Sequence, residues 1–268
     1  MSLKKNVLAN YVGQGWAALM GLAFVPIYIK YLGVEAYGLI GIFAMLQAWL
    51  ALLDMGMTPV LNREMARFSG GAHSAQSIRD LLRSIETVGF LIAVVITVTI
   101  WAVSGWLASE WLKADKLPVD AVAKAFGIMG AVTALRFLEG IYRGAIIGLQ
   151  KQVLFNVINA SLATLRGFGA VGVLVFVSPS INAFFIWQGL VSLFAVATFL
   201  IVVYQALPAS KSSPYFSRTA LQDVWRFAVG MMATTFLALL LTQVDKVILS
   251  RLLSLETFGL YTLAGLVA

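Results

Sequence analysis

"LGVEAYGLIGIFAMLQAWLALLDMGM", residues 32 to 57, decides how this chain folds. It opens on a short polar turn at Gly33–Glu35 and then carries no charge until Asp54. An uncharged apolar run of about 20 residues is the length an α-helix needs to cross about 30 Å of hydrocarbon. The opening of this segment occurs again as "LSLETFGLYTL", residues 253 to 263. Glu35, Gly38 and Leu39 return as Glu256, Gly259 and Leu260, Tyr37 returns as Phe258, and a basic residue precedes each copy (Lys30, Arg251).

The rest of the chain has the same character. Hydrophobic residues make up 60% of it and charged residues 12%, about half the charge of a soluble domain. The spacing of apolar runs predicts seven complete spans: Val7–Ile29, Tyr37–Met57, Val88–Ala108, Ala121–Leu149, Val153–Val177, Ile181–Gln205 and Trp225–Ser250. An eighth opens near Thr257. The first run is too long for the apolar core of a cleaved secretory signal and reads as a retained span.

The net charge of +7 does not point to nucleic acid, because Lys and Arg lie mainly in short loops between apolar runs. Lys4 and Lys5, then Arg63, Arg67, Arg79 and Arg83, then Lys151, then Lys211, Arg218 and Arg226 fall on one side. The alternate connections hold only Lys30, Lys113 and Lys116, among Glu35, Glu110, Asp115 and Asp120. The positive-inside rule therefore predicts a cytoplasmic N-terminus.

Two polar connections are long enough to read individually. "HSAQSIRDLLRSI", from His73, places Ile78, Leu81, Leu82 and Ile85 on one helical face, with Ser74 or Ser77 as its cap. It predicts an interfacial helix leading into the third span, or a basic partner-binding face. "PASKSSPYFSR", residues 208 to 218, has linker composition.

Six spans separate the two copies of the opening motif, so both face the same way. That is the pattern of a parallel repeat about an axis along the membrane normal. The expected fold is an all-α integral membrane protein: a first six-helix bundle (residues 1–207), a cytoplasmic linker (208–224) and the start of a second bundle (225–268). On this reading the sequence is truncated.

Residues 25 to 57, "VPIYIKYLGVEAYGLIGIFAMLQAWLALLDMGM", resemble the first hairpin of polysaccharide flippases, and residues 243 to 264, "QVDKVILSRLLSLETFGLYTLA", resemble the start of their second bundle. These are the Wzx-type O-antigen and capsule translocases of the multidrug/oligosaccharidyl-lipid/polysaccharide exporter superfamily. The resemblance implies two bundles in a V around a cavity open alternately to each side. It also implies an undecaprenyl-diphosphate-linked oligosaccharide as cargo, a bacterial inner-membrane location, polymerase or ligase partners, and no cofactor.

Charges inside spans are expensive and mark functional candidates. The fourth span holds Arg136, Glu139 and Arg143 in "LRFLEGIYRG", within about 60° of one another at 100° per residue. Guanidinium groups match phosphate oxygens, so this face could receive a lipid diphosphate. Alternatively Glu139 and Arg143 form an i, i+4 pair, with Arg143 snorkelling to the cytoplasmic end. Arg166, mid-span in the fifth, either faces the cavity or pairs with Glu139 across helices. Gly140, Gly144 and Gly148 form a ridge for a neighbouring helix.

Asp245 and Lys246 are adjacent and point about 100° apart; Asp245 could bind a coupling H⁺ or Na⁺ or pair between bundles. Asp54 reads as an interfacial cap or loop contact rather than a coupling site. Gln14, Gln47, Gln188 and Gln243 could line a cavity or bridge helices. The lone His73 is assigned no role, and with no cysteine there is no metal site of ordinary spacing and no Walker motif. The tryptophans near span ends fit an aromatic belt. The readings left are the flippase, a cation-coupled drug exporter of the same superfamily, which would favour acidic cavity residues, and a membrane glycosyltransferase or ligase, which would need paired acids near one face.

Overall fold

A computed structural model describes residues 3–210 and 212–267, so Lys211, one of the orientation residues, lies outside the described residues. The chain is a succession of helices: α1 (Leu3–Ala23), α2 (Val25–Leu32), α3 (Val34–Leu50), α4 (Met57–Ser69), α5 (Ala75–Trp106), α6 (Val119–Gly148), α7 (Gln152–Phe176), α8 (Ile181–Ala206), α9 (Arg218–Leu252) and α10 (Leu255–Val267). Among the described residues, seven helical segments are long and apolar enough to cross a membrane. They match the seven expected spans in order, and the protein is an all-α, multi-pass membrane protein.

Local chemistry sets the boundaries. Ser74, Ser180 and Ser217 each accept a bond from a backbone amide three residues on, capping α5, α8 and α9. Gly33, at φ +85°, turns α2 into α3. Gly56, at φ +75°, starts α4 where the backbone of Ala228 in α9 leaves no room for a Cβ.

Two connections differ from expectation. The segment from Ser74 is not a separate interfacial helix: α5 is continuous from Ala75 to Trp106. No Gly or Pro interrupts it between Ser84 and Val88, so nothing breaks the hydrogen-bond ladder as the face of Ile78, Leu81, Leu82 and Ile85, all buried as expected, passes into the apolar span. The short helix beside it is α4, amphipathic, with Val60, Leu61 and Met65 buried.

The connection after α8 is laid along α5. Gln76, Asp80 and Ser84, spaced i, i+4, i+8 on one stripe, hold Ser210 and Ser212, the Tyr215 amide and the Ser217 amide respectively. Arg79 donates to the carbonyls of Leu207 and Pro208 at the C-terminal end of α8. This anchoring lets α9 begin at Arg218, before the Trp225 expected from hydropathy.

The repeated motif has a spatial meaning. α3 and α10 cross at their glycines: a Cβ on Gly38 would collide with the Leu255 carbonyl, and one on Gly259 would lie 2.8 Å from the Val34 carbonyl. Val34 and Leu255 are themselves equivalent positions of the repeat. The contact is reciprocal, as across a two-fold axis.

The glycine ridge of α6 packs against α4. A Cβ on Gly144 would sit 2.8 Å from the Thr58 carbonyl, and one on Gly148 would strike the Asn62 carbonyl. The ridge turns the charged face of α6 sideways, toward the space enclosed by α1, α3, α7 and α8.

Candidate functional site

Arg136 stands midway along α6 between two cavities. The first, of about 370 Å³, is bounded by Gln47, Asp54, Thr58, Thr133, Arg136 and Thr235. The second, of about 450 Å³, is bounded by Tyr28, Phe43 and Gln47, by Asn159 and Arg166, and by Phe184 and Gln188. Gln47 and Arg136 belong to both.

The Arg136 guanidinium is held at both ends by neutral acceptors. It donates to Gln47 Oε1 at 2.9 Å and to Gln188 Oε1 at 3.0 Å, and it lies over the Phe43 ring at 5.1 Å. Its Nε is buried and makes no hydrogen bond. Among the described residues no carboxylate forms an ion pair with Arg136, so the groups in direct contact with its charge are two amide oxygens and a ring face.

Arg166 reaches from α7 to Glu139 on α6 at 2.7 Å. The cross-helix pair and the cavity position, set against each other in the sequence, are both realised, since Arg166 also lines the second cavity. Glu139 Oε1 is 3.8 Å from Arg143, a looser contact than the i, i+4 pair expected. Arg143 is 39% exposed and stacks at 5.2 Å on Phe155. Neither Glu139 nor Arg143 lines the two cavities. Glu139 therefore braces two arginines from behind, and three guanidinium groups against one carboxylate leave a surplus of two positive charges.

Asp54 accepts from the amide of Thr58 at 3.1 Å and its hydroxyl at 2.8 Å. It sits where a cap of α4 would, yet it borders the Arg136 cavity. Asp245 and Lys246, on α9, border neither cavity; Asp245 accepts from the Tyr261 hydroxyl and Lys246 donates to Gln243 at 3.3 Å. Gln14 is exposed.

Several contributors escaped the sequence reading. Gln47 and Gln188 were expected to line a cavity or bridge helices, but Phe43 was not singled out, although it lies one turn before Gln47 on α3 and that spacing puts the two on one face. Asn159 and Thr235 carry no comparable signal. His73 is not idle: its Nε2 lies 2.6 Å from Glu64, a buried carboxylate that also binds Arg67 at 2.9 Å. Glu35 reaches across to the connection before α6 and accepts from the amides of Asp115 at 2.7 Å and Lys116 at 2.9 Å. Nearby Lys116 meets Glu256 at 2.7 Å, and this carboxylate holds the lysine ammonium above its ordinary range.

Comparison with curated proteins and with solved structures gives no match to either. The family described as polysaccharide biosynthesis protein matches residues 3–267, nearly the whole sequence and every helix that frames the two cavities. The chain belongs to the polysaccharide biosynthesis protein family, the family that includes the Wzx-type flippases.

Proposed function

We propose that the protein carries a polyprenyl-diphosphate-linked oligosaccharide across the bacterial inner membrane by alternating access, with its N-terminus in the cytoplasm. One observation carries this reading: Arg136 and Arg166 border one cavity, with the amides of Gln47, Asn159 and Gln188 and the rings of Tyr28, Phe43 and Phe184 among its other walls. A diphosphate diester carries one negative charge on each phosphate, and Arg136 and Arg166 offer one guanidinium group to each. Arg136 is preloaded with two neutral amide acceptors, so an incoming phosphate exchanges weak partners for charged ones. Glu139, on the far side of Arg166, keeps that arginine extended without filling the cavity. Gln47, Asn159 and Gln188 offer hydrogen bonds to sugar hydroxyls, and Tyr28, Phe43 and Phe184 offer ring faces.

The polyprenyl tail stays in lipid while the charged head crosses inside. Two facing bundles that rock about this cavity accommodate the parallel repeat. Asp54 is the best-placed group for a coupling cation, since it borders the same space as Arg136; Asp245 and Lys246 fit a contact between bundles. A drug exporter for cations would need an acidic cavity, and the charge surplus here has the opposite sign.

The test is reconstitution in vesicles with a fluorescent polyprenyl-diphosphate sugar, reading how fast label becomes accessible on the other leaflet. Protein-dependent exchange that is absent for a neutral polyprenol-linked sugar supports the proposal. Equal exchange of the charged and neutral lipids removes it.

A further inference from the structure

The geometry points to a second binding site, for the headgroup of an aminophospholipid, on the outer wall between α5, α6 and α8. A groove of about 520 Å³ lies there, away from the arginine cavities. Its polar end is made by Arg83 and Glu86 of α5 with Tyr142 of α6 and Tyr204 of α8. Its apolar end is made by Phe90, Leu138 and Leu200.

The two ends are in register on all three helices. Glu86 precedes Phe90 by four residues on α5, while Tyr142 and Tyr204 follow Leu138 and Leu200 by four on α6 and α8. α6 and α8 run opposite to α5, so each helix presents a polar group at one level and an apolar one a turn deeper, about 6 Å further into the membrane. A phospholipid has that same order, headgroup then chain, over that distance. Phe90 is 61% exposed and Leu200 36%, so the apolar end is open to a chain.

The polar end is asymmetric in charge. Glu86 is only 8% exposed. Its Oε2 accepts from the Tyr204 hydroxyl at 2.9 Å and from Arg83 at 3.4 Å. Its Oε1 is buried and accepts no well-formed hydrogen bond, although the Tyr142 hydroxyl lies beside the carboxyl group, so a stronger donor would stabilise it. The Arg83 side chain is 56% exposed, with donors left over after its single contact with Glu86. A carboxylate oxygen without a well-formed hydrogen bond thus sits beside a guanidinium with donors to spare. The complementary ligand carries an ammonium next to a phosphate, which is the phosphoethanolamine headgroup: ammonium on Glu86 Oε1, phosphate on Arg83. This site does not depend on the transport reading; it depends only on the chain spanning a membrane.

Native mass spectrometry of the purified protein with dioleoyl-phosphatidylethanolamine, its N-monomethyl derivative and dioleoyl-phosphatidylcholine in equal amounts tests it. Methylation removes the ammonium donors without changing charge or chains. The wild type should retain phosphatidylethanolamine over phosphatidylcholine by about tenfold, the worth of one charge-assisted hydrogen bond, with the monomethyl lipid in between. Glu86→Gln should abolish the preference, and Arg83→Gln should weaken retention of all three. Equal retention of the three lipids by the wild type, or a preference that survives Glu86→Gln, overturns the proposal. The methylation series on the wild type decides the matter even where a variant folds poorly.

Discussion

Replacing Arg136 by alanine separates transport from folding. In the resting protein the guanidinium makes two bonds, to Gln47 at 2.9 Å and Gln188 at 3.0 Å. Each bond to a charged group contributes about 1.5 kcal/mol, but the isolated charge is held out of bulk water, and relief of that desolvation offsets much of the loss. The two freed amide oxygens border a cavity large enough to hydrate them. The net change in stability should therefore stay within about 1 kcal/mol. Binding of a diphosphate responds differently, because a forked guanidinium–phosphate contact replaces both amide bonds and contributes about 3 kcal/mol, about 100-fold in rate or affinity. Arg136→Lys keeps the charge but loses the fork, and should fall between. The assay is vesicle exchange of a fluorescent polyprenyl-diphosphate sugar, paired with a melting curve of each variant in detergent. Full exchange by Arg136→Ala would refute the reasoning. So would a melting loss in Arg136→Ala as large as its transport loss, because the arginine would then be a structural bridge.

Glu139 carries a different kind of load. Glu139→Gln strands Arg166, paired at 2.7 Å, and should destabilise by about 3 kcal/mol, read as a lowered melting temperature; no change would show the pair to be dispensable. Gly148→Val should push α4 from α6 and cost about 2 kcal/mol or more, whereas Gly140→Ala, whose Cβ would meet only the Thr58 hydroxyl at 3.8 Å, should melt like the wild type. Glu35→Gln should cost about 2 kcal/mol, since Glu35 is 5% exposed and accepts from three backbone amides, those of Asp115, Lys116 and Leu117. Lys116→Gln removes an exposed ion pair and should lower melting at neutral pH by far less than Glu35→Gln does. The Lys116–Glu256 contact itself should follow pH with a definite sign: the lysine is raised in the folded protein, so its contribution is complete below the ordinary lysine range and fades as pH climbs through the raised value.

The spans were legible because hydrocarbon imposes a length and forbids charge, so apolar runs from Val7 to Ser250 could be counted. The glycine ridge of α6 was legible for the same reason, as small residues at four-residue spacing demand a close neighbour. Which helix would fill that demand was not legible. α4 lies in a segment whose Arg63, Glu64 and Arg67 read as loop, and its apolar stripe of Val60, Leu61 and Met65 is too short to outweigh them. The arginines stood out because charge within a span is rare, and their partners remained ambiguous because the sequence does not measure distances between helices. Glu139 had three conceivable contacts; only folding shows that Arg166 takes it at 2.7 Å while Arg136 is left to two glutamines. Glu35 and His73 were passed over for the opposite reason: charge in a polar loop carries no penalty that marks it, although the folded chain buries Glu35 against amides of a connection far away in sequence.

The repeated motif ties these observations together. Gly38 and Gly259 each meet the carbonyl of the residue four positions before the other, Leu255 and Val34, so one motif serves as both halves of a single helix crossing. Glu35 and Glu256, equivalent by the same offset, reach one connection: Glu35 takes the amides of Asp115 and Lys116, and Glu256 takes the Lys116 side chain. A motif that meets its own copy is constrained twice by every substitution, because a side chain at either glycine would pry the crossing apart from both sides. That gives a physical reason for Glu and Gly to stand at equivalent positions so far apart in sequence, whereas the equivalent leucines differ, Leu39 being buried and Leu260 exposed. Packed beyond the crossing, Tyr28, Phe184 and Phe185 join Leu255 and Phe258 in one apolar cluster. Tyr28 and Phe184 are also walls of the second arginine cavity. Tyr28, Phe184, Phe185 and Phe43 follow one another edge to face at 5.1 to 5.3 Å, and Phe43 lies under the Arg136 guanidinium, so the apolar cluster that holds Leu255 and Phe258 extends as far as the arginine cavity.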